Sequence, residues 1–285
     1  MRATDKPILV FQTDFTYAEG AVSSMYGVVK SVDRELEIFD GTHQIPQYDT
    51  WSASYRLYQS MPFWPKGTIY VSVVDPGVGT GRRACVARTA DGHVVVTPDN
   101  GSLTHVYNNI GIVEVREIDE SVNRLPSTRG TLVFAGRDVF GYTAARLASG
   151  IIDWEQVGPA YAVEEIVRHA IPEPRVTDGR VQGIVEICDP NFGNAWTTIK
   201  WDMLTSAGLG FGDVARVRIA NGEEAVFDQC VRIERSFGHV GVGEPVVYCN
   251  EVMNVAFALC QGSLCNAYGI GFGRNWHVTL SHAVL

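Results

Sequence analysis

The segment Val73-Val74-Asp75-Pro76-Gly77-Val78-Gly79-Thr80-Gly81-Arg82-Arg83 sets a carboxylate and a guanidinium seven residues apart across a turn. Three glycines at alternate positions leave the backbone free to approach a ligand closely. The segment lacks the terminal Gly-Lys-Ser/Thr of a phosphate loop, and its glycine spacing is not that of a dinucleotide fingerprint, so both nucleotide-loop readings are rejected. Two readings remain. Arg82 keeps Asp75 ionised for a role toward a ligand, or the two form an ion pair that only braces the turn.

Other strand ends carry similar chemistry, and ligands of open α/β sheets sit beyond the carboxyl ends of strands. Asp14, in Gln12-Thr13-Asp14-Phe15, is placed either to accept the hydroxyl protons of a ribose or to cap the next helix. At 131–138 an apolar run, read as a strand, gives way to Gly136-Arg137-Asp138 and a helix. In the C-terminal half, Cys188-Asp189-Pro190-Asn191-Phe192-Gly193-Asn194-Ala195-Trp196 packs an acid, an amide and two aromatics into nine residues. That mixture suits a purine, with a ring to stack on and an amide for the base edge, but a turn with core aromatics would look the same.

These segments must be held by a scaffold. Over the first 170 residues, β-branched runs at 8–11, 37–39, 68–74, 94–97 and 113–115 alternate with helical spacing at 21–32, 50–60, 102–108 and 138–149. The alternation predicts an α/β domain over 1–171 with a mostly parallel sheet. Residues 171–179 hold two prolines and an Asp-Gly pair and read as a linker. Beyond them, short strand-like runs at 181–187, 196–200, 214–219, 225–233, 246–249, 255–259 and 276–280 predict a small all-β barrel or sandwich over 172–285.

A chain of 285 residues is long enough for two cores. With 32 acidic against 23 basic residues and no Lys/Arg-rich run, neither nucleic acid nor an anionic membrane surface is an expected partner. The apolar run near the N-terminus is too short for a signal or spanning segment, so the protein is expected in the cytoplasm. The six cysteines (85, 188, 230, 249, 260, 265) lack metal-site spacing and read as reduced thiols, and no metal is expected.

In order along the chain, Thr13-Asp14-Phe15, His43-Gln44-Ile45-Pro46, residues 63–68, the Asp75 to Arg83 segment, Pro98-Asp99-Asn100-Gly101, Gly136-Arg137-Asp138, Asn191-Phe192-Gly193-Asn194 and Gln261-Gly262-Ser263 resemble the S-adenosyl-L-methionine (SAM) hydroxide adenosyltransferases and their fluorinase and chlorinase relatives. The resemblance implies an N-terminal α/β domain carrying the ribose and nucleophile site, and a C-terminal β-barrel carrying the adenine and methionine contacts. It also implies a homotrimer with active sites between one subunit's N-terminal domain and its neighbour's C-terminal domain. SAM is then a substrate, and no cofactor is called for. By position, Asp14 would hold the ribose hydroxyls, with Glu19 the acid that follows. Asn194 and the backbone near Gln261 would meet adenine, Tyr48, Phe192, Trp196 and Phe237 would wall the pocket, and Asp189 would face the methionine ammonium. Asp75 and Arg82 would belong to an Asp-Arg-His set that positions water.

The chain departs from that pattern at three places. Ala135 stands where the family has the histidine of the water-positioning set. Asn250-Glu251-Val252-Met253 replaces an Asn-Ser turn, putting an acid where the substrate carboxylate would lie. Thr16 replaces the glycine of a Thr-Asp-Phe-Gly motif. The implied activity is hydrolysis of SAM to adenosine and methionine by water attack at C5′. The alternatives are adenosyl transfer to a different nucleophile, or a protein that binds SAM or adenosine without turnover. Halide is disfavoured as nucleophile because the Asp75 carboxylate would repel an anion.

Overall fold

In the computed structural model, which describes residues 6–283, the chain divides by its contacts into two compact units, one up to His169 and one from Ala170. The first unit holds strands β1 (Leu9–Thr13), β2 (Ile38–Thr42), β3 (Ile69–Val73), β4 (Ala84–Thr89), β5 (Val94–Pro98), β6 (Ile112–Glu117) and β7 (Ala160–Tyr161). They form one sheet in the order β2-β1-β3-β5-β4-β6-β7. Strands β2, β1, β3 and β5 are parallel, as the alternating pattern predicts, whereas β4, β6 and β7 join antiparallel, so the sheet is mixed. Residues 90–93 are the whole connection between β4 and β5. So short a link permits only a hairpin, because a parallel return needs a crossover of a dozen residues or more.

Helices α1 (Ala21–Val32), α2 (Thr50–Ser60), α3 (Thr104–Asn109), α4 (Glu120–Asn123) and α5 (Tyr142–Ala148) accompany the sheet. Strands β1 and β3 are buried at every position, which requires cover on both faces. Leu9, Phe11, Val71 and Val73 pack with Met25 and Val29 of α1 and Ala144 and Ala145 of α5. Val10 and Tyr70 point the other way, to Leu57 of α2 and Val106 of α3. Helix α2 starts where the Asp49 carboxylate accepts from the Ser52 amide at 2.9 Å, an N-cap.

Two readings of the sequence need correction here. Residues 131–134 form no strand. Leu132 and Val133 are exposed and only Phe134 turns inward, onto Phe15, so the apolar run lacks the two-sided burial of a central strand. The helix after it starts at Ala135, not at Asp138, with a π-helical turn over Gly136–Gly141 that runs into α5.

The second unit contains β8 (Arg175–Thr177), β9 (Arg180–Cys188), β10 (Ala195–Lys200), β11 (Val214–Asn221), β12 (Glu224–Ile233), β13 (Pro245–Cys249), β14 (Asn254–Leu259) and β15 (Trp276–His282), with helices α6 (Trp201–Ser206) and α7 (Leu264–Tyr268). The order β10-β14-β13-β12-β11-β15-β9 closes on itself through β9 and β10, giving a barrel of seven strands. Strand β8 lies inside the stretch read as a linker and pairs with β9, because Asp178 (φ +50°) and Gly179 (φ +71°) make a two-residue hairpin turn. Val217, Ile219, Phe227, Val247 and Phe257 belong to the core of this unit.

Glu186 of β9 is a buried acid, and burial pushes its carboxyl from the ordinary 4.5 up to about 8, against the pull of Lys200. Between those values the folded protein holds a proton that the unfolded chain has released, so this group makes stability fall as pH rises through the window. A single such proton gives a slope of up to ~1.4 kcal/mol per pH unit. Glu186→Gln is expected to flatten the fall of urea midpoint between pH 5 and 8; midpoints of the two proteins running parallel across that range would refute the assignment.

Candidate active site

Strands β1 and β3 are parallel neighbours in which Thr13 sits opposite Val73, so Asp14, directly after β1, and Asp75, two residues after β3, leave the sheet at the same carboxyl end. The Asp75 carboxylate is taken by Arg82. Nε of Arg82 donates to both carboxylate oxygens at 3.0 Å and a terminal nitrogen donates to Oδ2 at 2.5 Å. Their side chains are only 6% and 11% exposed, well inside the range where such a pair is held in one geometry. The turn between them is built for this pairing. Gly79 has φ +75°, the Thr80 hydroxyl donates to the Gly77 carbonyl at 2.6 Å, and a Cβ on Gly77 would lie 3.2 Å from Cγ of Arg82. The guanidinium also lies over the ring of Phe140, 5.2 Å from its centre, which ties the pair to the π-helical turn that begins after Ala135.

Asp14 is buried and caps no helix, since α1 begins at Ala21 after Gly20. Its Oδ2 accepts the amide of Tyr48 at 2.9 Å. Burial raises its carboxyl above the ordinary range, the Tyr48 amide opposes that shift, and the nearby charge of Asp75 adds to it. Tyr48 itself takes a left-handed backbone (φ +66°) and exposes its ring. Thr16 takes a left-handed backbone too, at φ +58°, a conformation costly for a β-branched residue. Its amide donates to the His43 carbonyl at 2.8 Å and its hydroxyl accepts from Ala18, which offset part of that cost. Glu19 is exposed on the same connection.

Behind this end of the sheet lies a polar cluster. His43 bonds Thr13 through Nδ1 and Tyr26 through Nε2, both at 2.8 Å, and Tyr26 and Tyr17 donate to Asp40. Burial lowers the His43 pKa, so the ring is neutral and spans the cluster as one donor and one acceptor. With both ring nitrogens engaged inside the cluster, His43 does not take the role that the resemblance implies for a histidine at position 135. Ala135 is buried, and its neighbour Gly136 is closely packed: a Cβ there would lie 3.2 to 3.3 Å from side-chain atoms of Phe15, Phe134 and Val73, which would have to shift by a few tenths of an ångström.

The second unit carries a cavity of about 610 Å³ lined by Asn191, Phe192, Asn194, Phe237, Gln261 and Ser263 among others. Of the residues that the sequence nominates, Phe192, Asn194, Phe237 and Gln261 are on its wall. Trp196 stands behind the wall. It is buried, and its indole Nε1 donates to the Tyr248 hydroxyl at 2.8 Å, while the Tyr248 ring lies 4.9 Å from that of Phe237. Tyr248 was invisible in the sequence reading, and the only signal for it is an aromatic in a strand of otherwise aliphatic residues. Asp189 uses Oδ1 to accept the amides of Asn191 at 2.8 Å and Phe192 at 3.2 Å, and so shapes the loop that carries them.

Two of the three wall segments, 191–194 and 259–263, interlock. The amide of Cys265 donates to the Gly193 carbonyl at 2.9 Å, and Gly193 (φ +68°) lies so close to Ser263 that a Cβ would fall 1.8 Å from its hydroxyl. Gly193→Ala is expected to cost roughly 1–3 kcal/mol of stability through strain and this clash. Adding Ser263→Gly should recover part of the loss in thermal unfolding; an alanine variant as stable as the parent would contradict the packing described.

The sequence matches the SAM hydroxide adenosyltransferase N-terminal domain over residues 9–158 and the C-terminal domain of the same family over residues 183–277. An (R)-S-adenosyl-L-methionine hydrolase from Salinispora tropica is 31% identical, with 96% of this chain and 98% of that protein covered. A fluorinase from Actinopolyspora mzabensis is 27% identical, covering 97% of this chain and 98% of its own. The crystal structure of a conserved protein from Thermotoga maritima superposes with a TM-score of 0.88 at 29% identity, over 96% of this chain and all of that one. The chain belongs to the SAM hydroxide adenosyltransferase family, with both of its domains.

Proposed function

We propose that the protein hydrolyses SAM to adenosine and methionine, by attack of water on C5′. The observation that carries this reading is the Asp75–Arg82 pair at the carboxyl end of the sheet beside Asp14. A sulfonium already makes methionine a neutral leaving group, so the reaction needs no general acid. What it needs is a water molecule in line with the C5′–S bond and exclusion of bulk solvent. Asp75 accepts or orients the proton of that water, and Arg82 fixes the carboxylate. Asp14 accepts from the ribose hydroxyls through the oxygen not used by Tyr48, with Glu19 beside it and the Tyr48 ring as wall. The cavity of the second unit takes the purine between Phe192 and Phe237, with Asn194 and the backbone at Gln261 on the base edge and Trp196 backing the wall. Asp189 faces the substrate ammonium. The protein works as the homotrimer that the resemblance implies, without metal or cofactor. The relatives named as hydrolases support water as nucleophile, and a carboxylate at the nucleophile position disfavours the halide used by a fluorinase.

Ala135 favours a second reading, adenosyl transfer to another nucleophile, because the buried methyl group supplies no hydrogen bond to water. Turnover in ¹⁸O-labelled water separates the two. Hydrolysis predicts label in the 5′-hydroxyl of adenosine and none in methionine; SAM bound but no labelled adenosine formed would reject it. Asp75→Asn is expected to lower kcat by about 10²–10⁴-fold, the range for loss of a positioned proton acceptor. Ala135→His is expected to raise kcat about tenfold or more if a histidine completes the water-positioning set. An unchanged rate in both variants would remove the proposed water site.

A further inference from the structure

The Asp75 to Arg82 turn is pinned at both ends by two consecutive residues. At its start, Nδ2 of Asn100 donates to the carbonyl of Val74 at 2.9 Å. That carbonyl shares a peptide plane with the amide of Asp75, so the bond sets the direction in which the Asp75 side chain leaves the strand. Asn100 is itself held, because its Oδ1 accepts from the Ser102 hydroxyl at 2.7 Å and the Ser102 amide at 3.3 Å. At the end of the turn, the amide of Asp99 donates to the carbonyl of Arg83 at 2.9 Å, and Nε of Arg83 donates back to Asp99 Oδ2 at 3.1 Å. The Asp99 carboxylate is 1% exposed and also accepts the Tyr161 hydroxyl at 3.1 Å and the Val167 amide at 2.8 Å. The Arg83 guanidinium stacks 4.1 Å from the centre of the Tyr161 ring.

We propose that Asp99 and Asn100 are positioning residues that set the Asp75–Arg82 pair for the reaction, Asn100 by fixing the Val74–Asp75 peptide plane and Asp99 by anchoring Arg83. The proposal rests on the reading of Asp75 as the group that orients the nucleophile. Neither residue needs to touch substrate. Each acts by removing the freedom of one end of a turn that glycine at 77, 79 and 81 would otherwise leave loose. A misplacement of about 1 Å in a reacting group can cost about 10²-fold in rate, so a clamp on the main chain is worth as much as a contact in the site.

Asn100→Asp tests this at constant shape. It keeps the acceptor for Ser102 but turns an oxygen, in place of the amide donor, toward the Val74 carbonyl. The clamp predicts a fall in kcat of about 10–100-fold with KM for SAM within about threefold. The same substitution placed in an Asp75→Asn background should change the residual rate by less than about twofold, since it acts through Asp75. Arg83→Met, at the more exposed end, keeps the stem and the main-chain bond to Asp99 but removes the side-chain contacts to Asp99 and to Glu165. It should lower kcat in the same selective way if Asn100→Asp folds poorly, while Glu165→Gln, which disturbs only the second contact, should not. Equal fractional losses with and without Asp75, or an unchanged kcat in both Asn100→Asp and Arg83→Met, would overturn the clamp. If Asp75→Asn alone leaves the rate intact, the reading of Asp75 fails and the clamp with it, an outcome distinct from a slow Asp75→Asn enzyme indifferent to position 100.

Discussion

The bidentate pairing of Asp75 with Arg82 is the constraint around which the first unit is arranged. Two charges held largely out of water are tolerable only when they are paired and hydrogen-bonded, and the turn between them is shaped to bring Nε and one terminal nitrogen of Arg82 onto both oxygens of Asp75. Gly77 is bare because the stem of Arg82 crosses it, and Phe140 lies against the guanidinium from the π-helical side. The parallel strands β1 and β3 then bring Asp14 to the same end of the sheet, close enough for one carboxylate to feel the other. A third carboxylate, Asp99, holds Arg83, so successive arginines are drawn to different acids.

Much of this arrangement is legible in the residues. An acid and an arginine seven apart across three glycines can meet only by folding the turn back, and the structure makes that contact. The runs at β1, β3 and β5 announce themselves because buried strands open on consecutive apolar residues, Leu9 to Phe11, Ile69 to Val71 and Val94 to Val96. Strand β4 is hidden by composition: Ala84, Cys85 and Ala87 are buried without being strong strand formers, and Arg88 interrupts the run. The π-helical turn is hidden for a different reason, because a shift in main-chain hydrogen bonding has no side-chain signature.

Asn100 shows where sequence reading stops. Its side chain reads as a turn residue between a strand and a helix, and its partner is a carbonyl, which every residue has. Only the fold reveals which carbonyl. Trp196 illustrates the same limit from the other direction. An aromatic next to a purine-like constellation invites a stacking role, but an indole N–H must find an acceptor when buried, and the acceptor, Tyr248, is 52 residues away. The left-handed Thr16 is the reverse case. A β-branched residue takes a backbone that ordinarily favours glycine, and local hydrogen bonds sustain it.

The interlock of Gly193 with Ser263 bears on the thermodynamics of filling the cavity. Two of its three wall segments, 191–194 and 259–263, are held together by the Gly193–Cys265 main-chain bond and the close packing of Gly193 on Ser263, so their backbone entropy is lost when the barrel folds and not when a ligand arrives. What an incoming ring still has to immobilise is the exposed side chain of Phe192 and the half-exposed Phe237, at about 0.5–1.5 kcal/mol each. For the purine proposed there, these two segments therefore contribute contact and desolvation without a cost of loop ordering.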